Sequence, residues 1–399
     1  MKILVLAGGF PKENEKRDGN YVYEQVSGMK KLGHDILVVS PTMYFPSFLK
    51  NNHKVGRFIT SKQYIYEDIE VVAPKMFVYY PTSRYWTKFP KIFTEIYAST
   101  VMKVIQQILD EQEYDIIYGM GSVLEAGVII KLKKIMPKQH FAYIEHSATI
   151  ANSLRKYKKY KKFYNSLVNS VNIMIFVSLK QKESIEPFAK LDQKGVVLYN
   201  GFRGLAQYDI NDRQNMKEKV PTIISVGFLE ERKGYSYSIE ALSLLAKAGY
   251  NFKYVIVGDG KEKEKYINMA KKCEIADNIV FKGRLSHDQV LREMLESDIF
   301  LLPSWNEAFG IVYLEAMSCG VPVVGTLSEG IEDIVINNQN GFLVKKQDSC
   351  NIYTVLKYLI DNPEERIKVG LRGKITAMNY TWENNAKKLL DIFSKISEG

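Results

Sequence analysis

Short apolar runs rich in β-branched residues recur along the chain. Gly, Ser or Pro ends each run, and a stretch with helical periodicity follows. Buried strands of a parallel sheet have this composition, because helices cover both faces of the sheet. The runs begin at Ile3, Asp35, Asp115, Phe141, Asn172 and Gly195, and then at Thr222, Tyr254, Asn278, Ile299 and Pro322. The sequence therefore predicts two successive α/β units, each with a doubly wound parallel sheet.

The chain length supports this division. A single core stops growing at about 250 to 300 residues, and the chain has 399. Residues 201–221 are polar and lack periodicity, so they predict a linker. We therefore expect Rossmann-like domains at 1–205 and 206–380, with ligands at the carboxyl ends of the strands and a cleft between the domains. A helix over 381–399 is predicted to pack back toward the first domain.

Positive charge is concentrated in the first half of the chain. Residues 1–200 hold 29 Lys and Arg against 18 Asp and Glu, whereas residues 201–399 hold 26 against 27. Such asymmetry favours an anionic partner for the first half: membrane lipid, nucleic acid or a phosphorylated acceptor. A merely solubilising surface is the alternative.

The sequence also bears on the compartment. Cys273, Cys319 and Cys350 are far apart and form no CxxC pair, which favours a reducing environment. The first apolar run is shorter than a signal peptide requires, and no window approaches 18 uninterrupted apolar residues. We expect a cytoplasmic protein whose membrane contact is peripheral, at the inner face of the plasma membrane.

A basic aromatic stretch, Ser153–Val168, supplies one surface for such contact. Its Leu and Tyr residues recur at helical spacing, with Arg and Lys between them. An amphipathic basic helix of this kind can lie on anionic headgroups. The alternative is a helix that packs its tyrosines on its own domain. Aromatic residues around Trp86 could extend the same surface.

The segment 303–320, PSWNEAFGIVYLEAMSCG, carries the most chemistry. It follows a predicted strand and begins a helix near Gly310, where backbone amides of Phe309, Gly310 and Ile311 can face a phosphate. Glu307 precedes the helix and Glu315 lies about 7 Å further along its axis than Gly310. The two carboxylates can thus hold the hydroxyls of a sugar and of a ribose, with a diphosphate between them.

Two cations follow the first strand of the second unit. In SVGFLEERKGY, Arg232 offers a planar fork and Lys233 a point charge, and both can neutralise a diphosphate. Solvated surface cations are the alternative, but a position at the carboxyl end of a strand favours the binding role.

These motifs resemble those of the GT-B glycosyltransferases, specifically the retaining family 4. SVGFLEERKG, VIVGDG, IVFKGRL, DIFLLPSWNEAFGIVYLEAMSCGVPVV and NGFLV occur in the family's order over some 120 residues, and segments of the first half such as IEHS and VLYNGF also resemble it. The resemblance implies a GT-B fold: two Rossmann-like domains that face a cleft, with C-terminal helices.

The resemblance also implies roles for particular residues. Glu307 would bind the donor sugar, Glu315 the ribose, and Arg232 with Lys233 the diphosphate, while His146 would approach the sugar from the first domain. Catalytic roles fall to His146, Glu307, Arg232 and Lys233. The remaining donor-side positions are Gly227, Gly258, Gly283, Arg284, Leu285, Ala308, Phe309, Gly310 and Ile311.

Two departures from the family pattern stand out. Gly19-Asn20 replaces a pair of glycines on the acceptor side, and Glu329-Gly330 replaces another pair near the donor sugar. The resemblance implies an acceptor-side contact at Gly19 and Asn20. At Glu329, a carboxylate that tunes sugar choice and an ordinary loop residue are both open.

Together these features predict a metal-independent, retaining glycosyltransferase without a cofactor. It would move a sugar from a UDP-linked donor to a glycan or lipid-linked acceptor in the synthesis of cell-surface polysaccharide. No DxD pair is present to hold a divalent ion. The alternatives are a GT-B-like nucleotide-sugar epimerase or hydrolase and, more remotely, a basic nucleic-acid-binding protein, which lacks support from zinc-finger spacing or RNP-like aromatics.

Overall fold

The computed structural model describes residues 1–12, 20–44, 63–77, 88–203 and 220–397. The chain forms two compact units, Met1–Tyr199 with Trp382–Gly399, and Asn200–Thr381. The domain boundary expected near residue 205 lies outside the described residues. Each unit is a Rossmann-like α/β layer structure with a parallel or mostly parallel sheet between helices, as the alternation of apolar runs and helical stretches predicts.

The first unit is built on an eight-stranded sheet in the order β10-β9-β8-β7-β1-β2-β5-β4. All described neighbours in this sheet are parallel except the edge strand β4, which runs antiparallel to β5. A separate parallel pair joins β3 and β6. The strands are β1 Lys2–Ala7, β2 Asp35–Val39, β3 Thr42–Tyr44, β4 Gln63–Tyr66, β5 Ile69–Val72, β6 Lys75–Phe77, β7 Ile116–Met120, β8 His140–Glu145, β9 Ile173–Phe176 and β10 Gly195–Val197.

Helices of the first unit enclose this sheet, and the last helix of the chain is one of them. That helix packs so closely on α1 that a Cβ at Gly28 would lie 2.8 Å from the Ala386 Cβ. Beside this contact, the buried side chains of Gln25 and Asn385 form a 2.7 Å hydrogen bond. The helices are α1 Asn20–Lys31, α2 Pro90–Glu111, α3 Val123–Ile135, α4 Ile150–Lys156, α5 Lys158–Ser170, α6 Leu179–Ile185 and α13 Trp382–Ser397.

The second unit holds a six-stranded, wholly parallel sheet in the order β13-β12-β11-β14-β15-β16. Its strands are β11 Thr222–Val226, β12 Lys253–Val257, β13 Ile279–Gly283, β14 Ile299–Leu301, β15 Val323–Thr326 and β16 Phe342–Val344. Its helices are α7 Tyr235–Lys247, α8 Lys263–Lys272, α9 His287–Leu295, α10 Ile311–Ser318, α11 Ser349–Asp361 and α12 Pro363–Ala377.

The basic aromatic stretch is not one continuous helix. The helix is interrupted at Tyr157, whose extended backbone separates α4 from α5. Tyr160, Tyr164 and Leu167 of α5 are buried in the core of the first unit. The aromatic face therefore packs on its own domain, as the alternative interpretation of this stretch predicts, and the lysines of α5 remain exposed. Within the described ranges, every helix is too short or too polar to cross a bilayer.

Glycines allow the strand-end loops of the second unit to touch. Gly258 has a φ of +139°, and a Cβ there would lie 1.9 Å from the carbonyl oxygen of Gly227. The Gly258 N–H also donates to the Gly283 carbonyl at 2.8 Å. Only glycine permits this approach of the loops after β11, β12 and β13, because any side chain would force the backbones apart. The carboxyl edge of the sheet is therefore compact.

We expect Gly258→Ala to destabilise the second unit by about 3 kcal/mol, because the backbone must move to relieve the overlap with Gly227. Gly249→Ala is the matched control: its φ is +85°, yet no atom beyond its chain neighbours lies within 4 Å of its Cβ position. That change should cost only about 1 kcal/mol from the left-handed backbone. Urea unfolding followed by circular dichroism measures both, and equal midpoints for the two variants would contradict the close approach.

Candidate functional site

Two loops of the second unit are locked together at the carboxyl edge of its sheet. The first follows β11 and contains the short 3₁₀ turn Glu231–Lys233, and the second follows β14. The Trp305 N–H donates to the Arg232 carbonyl at 2.8 Å. Gly234, with a φ of +77°, lies so close to the second loop that a Cβ would be 2.3 Å from the Pro303 carbonyl oxygen. These backbone contacts fix the side chains that both loops carry.

The loops bring three predicted site residues together. The Lys233 ammonium lies 2.5 Å from Glu307 Oε2, and the Arg232 Nη1 lies 3.8 Å from the same oxygen. Lys233 and Glu307 are mostly buried, with side chains 10% and 16% exposed, whereas Arg232 is 37% exposed and also pairs with Glu230 at 3.0 Å. A ligand diphosphate would meet both cations already facing a carboxylate, so its binding must compete with Glu307.

Beside this cluster begins helix α10. Gly310, its N-cap, has a φ of +83°, and a Cβ there would lie 2.6 Å from the Tyr313 ring. The helix starts at Ile311, next to the predicted position. Phe309 is buried and Ala308 is half-buried. A Cβ on Gly330 would lie 2.2 Å from the Ala308 carbonyl oxygen. The N-terminal end of α10 and its partial positive charge therefore lie near the Glu307 loop.

The side chain of Glu329 binds the backbone of the same loop. Its Oε2 accepts the N–H of Glu307 at 2.8 Å, and the preceding Asn306 has a left-handed φ of 54°. Burial raises the pKa of the Glu329 carboxyl, while the N–H groups of Glu307 and Asn306 oppose that rise. The Glu329 side chain thus holds the turn that positions Glu307.

Glu315 lies on α10 and has a partner that the sequence did not reveal. Its Oε1 is 3.0 Å from Nε2 of His287, the first residue of α9. The Glu315 side chain is 14% exposed. No sequence signal singled out His287, because α9 and α10 meet only in the tertiary structure.

The remaining donor-side positions lie at the ends of neighbouring strands. Gly227, Gly258 and Gly283 form the glycine contacts already described. Arg284 is exposed, with its Nε 3.9 Å from an Asp259 carboxylate oxygen. Leu285 is half-buried in the loop before α9. The structure thus places these residues along the β11, β12 and β13 ends of one sheet edge.

His146 follows β8 in the first unit. Its ring centroid lies 4.5 Å from that of Tyr21, and a Cβ on Gly121 would lie 3.1 Å from its Cδ2. Burial lowers the pKa of the imidazole to about 3, so the ring is neutral at neutral pH. Its Nε2 is buried and has no hydrogen-bond partner within the described residues. Gly19 lies outside the described residues, and Asn20 begins α1 with a side chain that is not described.

Two buried carboxyl groups that sequence analysis missed lie in the first unit near His146. Burial raises the pKa of Glu145 to about 8, although the backbone N–H groups of Ser147 and His146 oppose the rise, so Glu145 carries a proton at neutral pH. Glu145 borders a cavity of ≈ 480 Å³ that α4 also lines. Glu125 is fully buried at the start of α3, and its Oε1 accepts a 2.5 Å hydrogen bond from Tyr97. The uncharged Glu145 carboxyl can donate as well as accept hydrogen bonds, and burial also raises the pKa of Glu125.

Across the described part of the chain, no group of three or more His, Cys, Asp or Glu residues has the arrangement to hold a metal ion. The chemical groups assembled at the second unit's edge include the cations of Arg232 and Lys233, a helix start, a histidine and the carboxyl groups of Glu307, Glu315 and Glu329. Such a set suits an anion flanked by hydroxyl-bearing groups.

Solved structures share this fold over almost the whole chain. Sucrose-phosphate synthase from Thermosynechococcus elongatus aligns with a TM-score of 0.77 at 15% identity, covering 99% of each chain. Anabaena HepE, solved in complex with UDP and glucose, aligns with a TM-score of 0.71 at 19% identity, covering 99% of this chain and 100% of that one. The fold is therefore that of the GT-B glycosyltransferases, as the motifs predict.

Sequence comparison finds a family match in the second half of the chain and similar proteins over most of its length. Residues 207–376 match the family described as Glycosyl transferases group 1. An uncharacterized glycosyltransferase of Methanocaldococcus jannaschii is 26% identical over 76% of this chain and 81% of its own length. The phosphatidylinositol N-acetylglucosaminyltransferase gpi3 subunit of Schizosaccharomyces pombe is 23% identical over 94% of this chain and 77% of its own length. These matches support a glycosyltransferase of GT-B fold.

Proposed function

We propose that the protein is a retaining glycosyltransferase of the family 4 type, which transfers a sugar from a UDP-linked donor to a glycan or lipid-linked acceptor. The observation that carries the proposal is the Arg232–Lys233–Glu307 cluster beside the start of α10, with Glu315 on the same helix. Two supporting facts come from other proteins: HepE was solved with UDP and glucose, and the gpi3 subunit is a phosphatidylinositol N-acetylglucosaminyltransferase.

The cluster supports an exchange of partners on donor binding. The diphosphate would take over Lys233 and Arg232, and Glu307, released from its ion pair, would accept hydrogen bonds from sugar hydroxyls. The same cations would then stabilise the negative charge that develops on the leaving diphosphate. Preorganised charges of this kind contribute because they need no reorientation during the reaction.

The proposed transfer is a same-face displacement. The bond between sugar C1 and the diphosphate oxygen breaks as the bond from C1 to the acceptor oxygen forms, and the acceptor proton passes to a diphosphate oxygen. This step retains the anomeric configuration, and NMR of the product linkage tests it. The resemblance assigns His146 to the donor sugar. A neutral imidazole suits a hydrogen bond to a sugar hydroxyl better than an ion pair.

The first prediction on this function separates the two glutamates. Glu307→Gln should reduce transfer at least about 100-fold while UDP still binds, because its proposed contact is to the sugar. Glu315→Ala should weaken UDP binding as well, because its proposed contact is to the ribose. Calorimetric titration with UDP and a transfer assay measure the two properties. Glu293→Gln, on the neighbouring α9, is the control and should change neither; equal small effects in all three variants would refute the division of roles.

The second prediction concerns the charge on the diphosphate. A combined Arg232→Gln and Lys233→Met change should lower turnover by about 1000-fold, since two cations are lost from the proposed leaving group. The exposed pair Lys261→Gln and Lys265→Gln removes the same charge elsewhere in the unit and should leave turnover unchanged.

Metal independence has its own check. We expect the parent enzyme to keep its activity in EDTA, because the two cations and the helix start would neutralise the diphosphate. Loss of activity that manganese or magnesium restores would contradict this. Donor consumption that proceeds equally with and without acceptor would instead indicate the hydrolase or epimerase alternative.

We also propose that the first unit binds the cytoplasmic face of an anionic membrane, where a lipid-linked acceptor would lie. Lysines from three helices surround a groove of ≈ 600 Å³, which the exposed apolar side chains of Phe89 and Ile92 also line. Lysines near a membrane contribute about 1 kcal/mol each. The lysines of the groove are Lys91, Lys131, Lys134, Lys159 and Lys162. Of the aromatic residues expected to extend this surface, Phe89 lines the groove and Phe93 packs against the core of the first unit. The others, Tyr79, Tyr80, Tyr85 and Trp86, lie outside the described residues.

This membrane proposal predicts salt-sensitive binding to vesicles that contain phosphatidylglycerol. Changing four exposed lysines of α5 to Gln should weaken that binding at least about tenfold and preserve transfer to a soluble acceptor analogue. The control changes Lys253, Lys261, Lys271 and Lys272, which are exposed on the second unit, and should have a smaller effect. If both variants sediment with vesicles as the parent does, α5 has only a structural role. The four residues are Lys158, Lys159, Lys161 and Lys162.

A further inference from the structure

His287 occupies a fixed position beside Glu315. It is the first residue of α9, directly after Ser286, and a capping box between Ser286 and Gln289 closes the start of that helix. The His287 side chain is 34% exposed, yet its Nδ1 is buried and has no partner within the described residues. The capped start of α9 therefore sets the position of the His287 backbone, and a 3.0 Å hydrogen bond joins Nε2 of the ring to Glu315 Oε1.

That contact defines the hydrogen-bonding state of both groups. A carboxylate only accepts hydrogen bonds, so Nε2 carries a hydrogen and donates a hydrogen bond to Oε1. The other oxygen of Glu315, Oε2, makes no hydrogen bond within the described part of the chain. The imidazole therefore fixes the plane of the carboxylate and leaves Oε2 for a ligand hydroxyl.

We propose that His287 is a positioning residue of the nucleotide site, which holds Glu315 so that its carboxylate accepts the ribose hydroxyls of the sugar donor. This inference rests on the proposed function, because it takes Glu315 as the ribose ligand. A carboxylate held by a histidine loses less rotational freedom when a ligand binds, and the resulting preorganisation appears as affinity. His287 acts through Glu315 and touches no reacting atom.

The charges around the imidazole agree with this role. Glu315 faces it from α10, Asp288 follows it on α9, and Arg203 lies nearby in the segment that precedes β11. The hydrogen bond to Glu315 raises the pKa of His287, and Asp288 adds to the rise, while burial and Arg203 oppose it.

The test is calorimetric titration of the full-length protein with UDP, GDP and ADP. His287→Leu should weaken the nucleotide that binds best by about tenfold, whereas His287→Gln, whose amide can still donate to Glu315, should recover most of the loss. In a transfer assay the loss should appear in KM for the donor and leave kcat nearly unchanged. The same Leu substitution at His140, which begins β8 in the other unit, is the control and should change nothing.

A double-mutant cycle shows whether the effect passes through Glu315. In a Glu315→Ala background, His287→Leu should cause no further loss of affinity, because the contact is already absent. Additive losses would overturn the proposal. A second measurement is the NMR titration of the histidines, in which the pKa of His287 should fall in Glu315→Gln; an unchanged pKa would also overturn it.

The outcomes separate this inference from the proposed function. If the parent binds a nucleotide and His287→Leu binds it equally well, His287 has no positioning role although the proposed function stands. If the parent binds none of the three nucleotides, the proposed function fails and this inference fails with it.

Discussion

The ion pair between Lys233 and Glu307 is the interaction on which the site in the second unit depends. Removing two charges from water is costly, and their attraction repays that cost only when the geometry is held. Here the backbone supplies the geometry: Trp305 bonds to Arg232, Gly234 touches Pro303, and Glu329 holds the Glu307 N–H. The ion pair is therefore the product of a rigid edge, which also keeps Arg232 within 3.8 Å of the same carboxylate oxygen.

The sheet edge of the first unit holds two ionisable side chains that carry no charge at neutral pH. Glu145 and His146 are adjacent in sequence, and burial pushes the pKa of the acid up and that of the base down, so both are uncharged at neutral pH. An uncharged edge can bind hydroxyl groups without attracting counter-ions. The positive charge of this unit lies elsewhere, on exposed lysines of helices such as α5.

The sheets were largely predictable, whereas local exceptions were not. Central parallel strands are apolar on both faces, so their composition alone marks them. The apolar runs do not predict β3, β4, β5, β6 or β16. Strand β4 alternates exposed and half-buried residues, β5 carries the exposed Glu70, and the other three strands are only three residues long. The break at Tyr157 was also missed, because the apolar spacing of the stretch continues through it. The periodicity of apolar residues indicates which side chains are buried, but it does not show that the backbone of one residue departs from the helix.

The sequence by itself determined the α/β architecture, the resemblance to GT-B glycosyltransferases and the placement of Glu307 and Glu315 around a helix start. These depend on short-range spacing, which a chain displays directly. Only the tertiary structure decided that Lys233 pairs with Glu307, that Glu329 holds a backbone turn and that His287 meets Glu315. Each of these contacts joins residues at least 22 positions apart, as the Glu329 hydrogen bond shows. Strand order and helix packing bring such residues together, and no local pattern in the chain encodes that proximity.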